Sequence, residues 1–261
     1  MPYQIFEVSG RTIEVDLYGD AGPLVVLAPG MGRGAADFSD LAGTLSRVGY
    51  RAAAVNPRGA GQSRGPAEGL TLHDLADDLA RVIETLQGAP AAVIGHAFGN
   101  RVARCLAADR PELVKCLVLL AAGGQVPPPP EFLAAMAVLR SSEATRAEKR
   151  DAMQRAYFSK DSSPDPWLEG NWPETLRIQA QAGQATPLSD WLAGGSAPML
   201  VVQGLEDICA LPANGRRLKE DFGDRVELEE IPNAAHAMLL ERSEVVAARV
   251  IEYLNRQFEQ R

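Results

Sequence analysis

The chain has 261 residues, 46% of them hydrophobic and 23% charged, an ordinary globular composition that excludes a disordered protein. Thirty-four acidic residues against 26 basic ones leave a formal charge of −8, which would repel phosphate backbones and argues against a nucleic-acid partner. No apolar run reaches the roughly 18 residues of a membrane span, the amino-terminal stretch lacks the basic start and apolar core of a signal peptide, and three scattered cysteines rule out a disulfide framework, so a cytoplasmic protein with no membrane partner is expected.

Residues 4–8 and 12–17 read as strands around Ser9-Gly10-Arg11, a hairpin turn signal. Residues 23–28 form a short continuous apolar run, the pattern of a strand buried on both faces of a parallel sheet. Over 36–48, Phe38, Leu41, Leu45 and Val48 recur at helical spacing, and Gly49 closes that helix. The alternation repeats with a strand at 50–55, a glycine-rich loop, and a helix capped by Thr71 that carries Leu72, Leu75, Leu79, Val82, Ile83 and Leu86 on one face. A strand at 91–94, a helix at 98–108 ending before Pro111, and a buried strand at 117–121 follow. Apolar strands spaced by helices specify an α/β fold with a mostly parallel sheet flanked by helices.

The pattern changes after Gly124. Pro127 to Pro130 cannot continue a strand, and residues 125–197 hold helical patterns (132–139, 148–157 and 174–181) with all three tryptophans, Trp167, Trp172 and Trp191. This stretch is read as a helical cap inserted after the sixth strand, with residues 1–124 and 198–261 forming one core. The sheet resumes at 198–204, and a helix at 213–222, a strand at 226–231 and an amphipathic helix at 243–258 complete the chain.

Gly95-His96-Ala97-Phe98-Gly99 lies directly between a buried strand and a helix. A turn that tight needs small residues two positions either side of its centre. It exposes the central side chain at the carboxyl edge of the sheet, with the next N–H pointing into the site from a helix N-terminus. The arrangement resembles the G-x-S-x-G nucleophile elbow of the α/β-hydrolase family, with Ala97 at its centre in place of a nucleophile. The resemblance extends along nearly the whole chain. Gly204-Leu205-Glu206-Asp207 is similar to the family's acid loop, and Pro232-Asn233-Ala234-Ala235-His236 to its histidine loop. Pro29-Gly30-Met31-Gly32 resembles the oxyanion loop, where the family often has His-Gly. Asn56-Pro57-Arg58-Gly59-Ala60-Gly61-Gln62-Ser63 resembles its Asp-x-x-Gly-x-Gly-x-Ser loop, with Asn56 for the usual Asp.

The resemblance implies an eight-stranded sheet and a hydrolase of a small-molecule ester or lactone, with no cofactor, as a monomer or homodimer. In such enzymes His236 takes and returns a proton, Asp207 holds the imidazole, and the amides of Met31 and Phe98 bind the developing oxyanion. A methyl group cannot attack a carbonyl, so three readings of Ala97 stay open. It replaces a serine in an inactivated form. It is the chain's own residue, with His236 activating water or abstracting a substrate proton as a lyase or base catalyst would. Or the chain is a non-catalytic ligand-binding protein.

His73, in the first turn of an amphipathic helix, reads as a surface residue, and His96 as a packing neighbour of the elbow. Three scattered histidines give no reason to expect a metal site. Cys209, close after Asp207, reads as packing, and Glu206 as a solvated neighbour of Asp207 or as the acid in its place. Arg33, Arg58 and Arg101 lie in or beside loops at the carboxyl edge of the sheet, where each is a candidate for binding a substrate carboxylate or for an ordinary loop salt bridge. A tryptophan at the pocket mouth would favour an apolar or aromatic substrate.

Overall fold

Ser9 and Gly10 adopt positive φ (51° and 76°) and turn β1 (Tyr3–Val8) back on β2 (Arg11–Tyr18) as an antiparallel hairpin. This is seen in a computed structural model that describes residues 3–259; Met1 and Pro2, part of the stretch inspected for a leader, lie outside the described residues. The apolar runs become β3 (Leu24–Ala28), β4 (Arg51–Val55), β5 (Ala91–His96), β6 (Val114–Leu120), β7 (Met199–Gly204) and β8 (Val226–Ile231). Every residue of β3, β5 and β7 is buried, as strands with helices on both faces must be. The eight strands form one sheet in the order β1-β2-β4-β3-β5-β6-β7-β8, antiparallel only where β2 meets β1 and β4.

The helices are α1 (Ser39–Arg47), α2 (Leu72–Thr85), α3 (Phe98–Asp109), α4 (Pro130–Arg140), α5 (Arg146–Tyr157), α6 (Pro173–Ala185), α7 (Leu188–Trp191), α8 (Ala213–Phe222), α9 (Met238–Glu241) and α10 (Ser243–Glu259). Leu41 and Leu45 of α1 and Val246, Val250 and Tyr253 of α10 pack on Val25, Leu27, Ile94 and Leu120 on one face of the sheet. Leu75 and Leu79 of α2 and Val102 and Leu106 of α3 pack on Val26, Val93, Leu117 and Leu119 on the other. The Asp74 carboxylate accepts the Thr71 N–H at 2.8 Å and starts α2 where the capping pattern predicts.

Most element ends differ by a few residues from the sequence reading, and the differences near the core have physical reasons. A 3-10 turn, Ala35–Phe38, precedes α1 in what reads as one helix. β6 begins at Val114, ahead of the apolar run that marks it. β5 continues through Gly95 to His96 because His96 pairs with Leu120 right up to the turn. α7 and α9, one turn each, are too short to carry a helical period.

Helices α4 to α7 lie between β6 and β7. Pro130 is the first residue of α4, where a missing N–H leaves no bond unmade. Ala135, Ala152 and Ala156 let α4 and α5 approach closely. Ile178 and Ala182 of α6 and Trp191 of α7 join the same core as Val102 and Leu106, so these helices share apolar packing with the sheet.

Candidate active site

Strand β5 ends at a turn that forces Ala97 to φ 49°, ψ −110°, a backbone conformation that alanine rarely adopts. A Cβ on Gly95 would lie 2.4 Å from the Asn100 nitrogen, and one on Gly99 would lie 2.0 Å from the Ala28 carbonyl oxygen, so both positions admit only glycine. The Ala97 N–H donates to the Leu120 carbonyl at 2.9 Å, tying the turn to the end of β6. Holding a non-glycine residue there costs about 1–3 kcal/mol. The chain therefore keeps the strained frame of a nucleophile around a methyl group. The amides of Met31 and Phe98 donate to no protein acceptor among the described residues, which leaves both free for an oxyanion.

Asp207 and His236 arrive on loops after β7 and β8 and meet, with Nδ1 of His236 2.8 Å from Asp207 Oδ2. Nδ1–H is the donor in this pair, so Nε2 carries the lone pair of the neutral ring. The other carboxylate oxygen, Oδ1, accepts from the Cys209 and Ala210 amides at 2.8 Å each. Asp207 is 1% exposed and His236 4%. Burial disfavours a charged His236, but the Asp207 carboxylate and the nearby Cys209 side chain together hold its pKa well above the ordinary histidine value. Glu206 is exposed and makes no ion pair with His236.

The histidine loop is clamped from several sides. His96 donates from Nε2 to the His236 carbonyl at 2.9 Å, and its pKa is lowered to about 4, chiefly by burial, so it is a neutral clamp. Glu241 of α9 accepts the Ala235 N–H at 2.8 Å, and the Ala237 N–H donates to the Tyr157 carbonyl at 2.9 Å. The rings of Tyr157 and Trp167 stand 5.4 and 6.4 Å from the His236 ring and roof it with aromatic surface. Gln203, fully buried, accepts the Ala122 N–H at 2.6 Å and donates to the Ala210 carbonyl at 3.1 Å, fastening the acid loop to the end of β6. Tyr157, Glu241 and Gln203 carry no motif, and only their contacts identify them.

The three arginines part company here. Arg33 is bidentate to Asp37 at 2.7 and 2.6 Å and lies 4.9 Å from the Trp167 ring. Arg58 is bidentate to Asp78 at 2.7 and 2.9 Å. Both are salt bridges that organise loops, and neither fork is free for a substrate. Arg101 has no acidic partner among the described residues; its guanidinium carbon lies 5.8 Å from the Phe98 ring and 5.4 Å from the Trp191 ring. Of the tryptophans, Trp167 touches the histidines, Trp172 covers Gly34 beside the oxyanion loop, and Trp191 packs under Arg101 and Arg104. Asn56 is structural: Oδ1 accepts the Ala35 N–H and Nδ2 donates to Glu14, each at 2.8 Å.

Helix α6 reaches the same loop. The Gln179 side chain accepts the Gly32 N–H at 2.7 Å, and the Trp172 N–H donates to the Gly32 carbonyl at 2.8 Å. Ala97, Cys209 and Arg101 are half-buried and Met31 is 37% exposed, so solvent reaches the site on this side.

His73 is better partnered than its sequence neighbours suggest. Its Nδ1 lies 2.8 Å from Asp109 and 3.4 Å from Cys105 Sγ, and its Nε2 lies 3.5 Å from Asp190. His73, Cys105 and Asp109 are the group among the described residues with the donors for a metal ion. These acids come from other helices, which is why local spacing does not reveal them. No described helix is long and apolar enough to cross a membrane.

A sequence profile of the alpha/beta hydrolase fold matches residues 23–151. BpoC of Mycobacterium tuberculosis, named as a non-heme bromoperoxidase, is 29% identical over 249 residues, covering 90% of this chain and 94% of its own. Its crystal structure superposes with a TM-score of 0.77 at 28% identity over 94% of this chain and 96% of that one. A protein of Variovorax paradoxus named as the carbamate hydrolase RutD is 25% identical and spans 94% of this chain and 96% of its own. The enol-lactonase of Burkholderia xenovorans, at 24% identity, shares the fold with a TM-score of 0.76 over 97% of this chain and 100% of that one. With this sheet order, this elbow and these matches along its length, the chain belongs to the α/β-hydrolase superfamily.

Proposed function

We propose that the protein hydrolyses a small-molecule ester or lactone, with water, not a side chain, as the nucleophile. The observation that carries this reading is the buried His236–Asp207 pair beside an elbow that keeps its strained turn and free amides around the methyl group of Ala97. The methyl group leaves room that a serine oxygen would fill, and a water there is the group that a neutral Nε2 can deprotonate. The water oxygen adds to the carbonyl carbon as its proton passes to Nε2. The C=O electron pair moves onto oxygen, facing the amides of Met31 and Phe98. The tetrahedral adduct then expels the alkoxide, which takes the proton from the imidazolium, so the acid, the alcohol and a neutral ring are left. Asp207 keeps Nδ1–H pointing at itself and stabilises the transient imidazolium. Relatives named as hydrolases support the reaction class. A protein that only binds a ligand has no use for a carboxylate saturated by three N–H donors behind an imidazole.

The test is ester turnover by the chain as it stands, across several acyl sizes, beside His236→Ala. Removing a general base lowers turnover by about a hundred- to ten-thousandfold. Turnover untouched by His236→Ala, or no turnover of any ester or lactone, overturns the reading.

A further inference from the structure

Arg101 sits in the first turn of α3, directly after the elbow, in a turn with no acidic residue. A cation there opposes the helix dipole, so the position is unfavourable unless something compensates it. The guanidinium is packed between the Phe98 and Trp191 rings and against Gly183, where an added Cβ would lie 3.7 Å from Nη1. Among the described residues it makes neither an ion pair nor a hydrogen bond. One turn further on, Arg104 is fully buried, 4.6 Å from the same Trp191 ring. Its N–H groups donate only to neutral acceptors: the Asn100 carbonyl at 3.2 Å, Asn100 Oδ1 at 2.6 Å, the Gly123 carbonyl at 2.9 Å and the Leu192 carbonyl at 3.4 Å. Burial, and then the neighbouring Arg101, pushes the Arg104 pKa down to about 9.

The chain carries 34 acidic residues, yet none meets this pair of guanidiniums. Arg33 and Arg58, by contrast, each hold a carboxylate. Burying a cation without a counter-charge is costly. Arg104 is satisfied by carbonyls, but the fork of Arg101 is open. It is also close to the elbow: its guanidinium carbon lies 5.8 Å from the ring of Phe98, the residue that supplies a candidate oxyanion amide.

We propose that Arg101 is the anion-binding residue of this site and that the substrate carries a carboxylate. The carboxylate is held bidentately by the free guanidinium beside Phe98 and Trp191, while the scissile carbonyl faces the amides of Met31 and Phe98. The planar fork matches a planar carboxylate in two parallel N–H···O bonds. This assignment rests on the hydrolase reading of the same site, and it narrows the substrate to an ester or lactone with a second, ionised acid group.

Calorimetric titration of the full chain with glutarate and with its neutral diamide tests the site, alongside hydrolysis of the p-nitrophenyl monoester of glutaric acid and of p-nitrophenyl butyrate. Glutarate is expected to bind and the diamide not. Arg101→Gln weakens glutarate binding about ten- to hundredfold. The same variant raises KM for the glutarate monoester by a similar factor with kcat nearly unchanged, a loss several times larger than any it causes for the butyrate ester. Arg101→Lys keeps the charge without the fork and recovers part of the loss, which separates the contact from a folding defect. Glutarate binding that ignores Arg101→Gln, an equal loss for both esters, or failure of dicarboxylates from malonate to adipate to bind overturns the proposal. If glutarate binding depends on Arg101 but neither ester is hydrolysed, the anion site stands and the hydrolase reading falls. If the butyrate ester is hydrolysed and Arg101 is irrelevant, the reverse holds.

Discussion

A hydrogen bond decides which nitrogen of His236 does chemistry. Asp207 takes Nδ1–H, so Nε2 is left as the base, and only the neutral ring can act. Burial works against charge on this ring, but Asp207 and Cys209 outweigh it and raise the pKa above the ordinary value. The base is therefore released from its proton as pH rises past the ordinary histidine range. The expected kcat/KM profile climbs with pH through a limb above about 6.5, the unperturbed histidine value. Asp207→Asn removes the charge that raises it, so the limb moves down while turnover falls by about a thousand- to ten-thousandfold. A limb at or below the ordinary value in the unaltered chain would contradict the assignment.

The turn between β5 and α3 is the element on which the site depends. Its demand for small residues is steric, and that is why Gly95 and Gly99 are legible from the sequence before any contact is known. A methyl group at Gly99 would overlap the Ala28 carbonyl at 2.0 Å and would have to push β3 away from α3. Gly99→Ala should destabilise by about 1–3 kcal/mol or more, the range of overpacked cores. Thermal denaturation followed by circular dichroism checks this, and a melting temperature unchanged from the parent chain would refute it. Strands were equally legible, since buried parallel strands are continuous apolar runs; their ends were not, because β5 ends at the elbow and not at the last apolar residue. Helices α4 to α6 show their periodicity in sequence but not their partners. That Gln179 of α6 holds Gly32, and that Arg33 meets Trp167, are matters of tertiary placement.

Over the whole molecule, one apolar core joins Val26, Val93 and Leu119 of the sheet to Ile178, Ala182 and Trp191 of the helices between β6 and β7. Hydrogen bonds from Gly32 to Gln179, Leu72 to Thr186 and Ala237 to Tyr157 add to that joint. Scanning calorimetry should therefore show a single cooperative unfolding transition, and two resolved transitions would mean that the inserted helices melt by themselves. The central claim, that water attacks the substrate over Ala97, is a statement about what the intact chain carries during turnover. Intact-mass spectrometry of the protein quenched while hydrolysing an activated ester tests it most directly, with Ala97→Ser as the comparison. The account predicts the unmodified mass and no pre-steady-state burst for the chain itself, and an acyl adduct with a burst once serine occupies the elbow. An acyl adduct on the unaltered chain, on Cys209 or any other side chain, would contradict it.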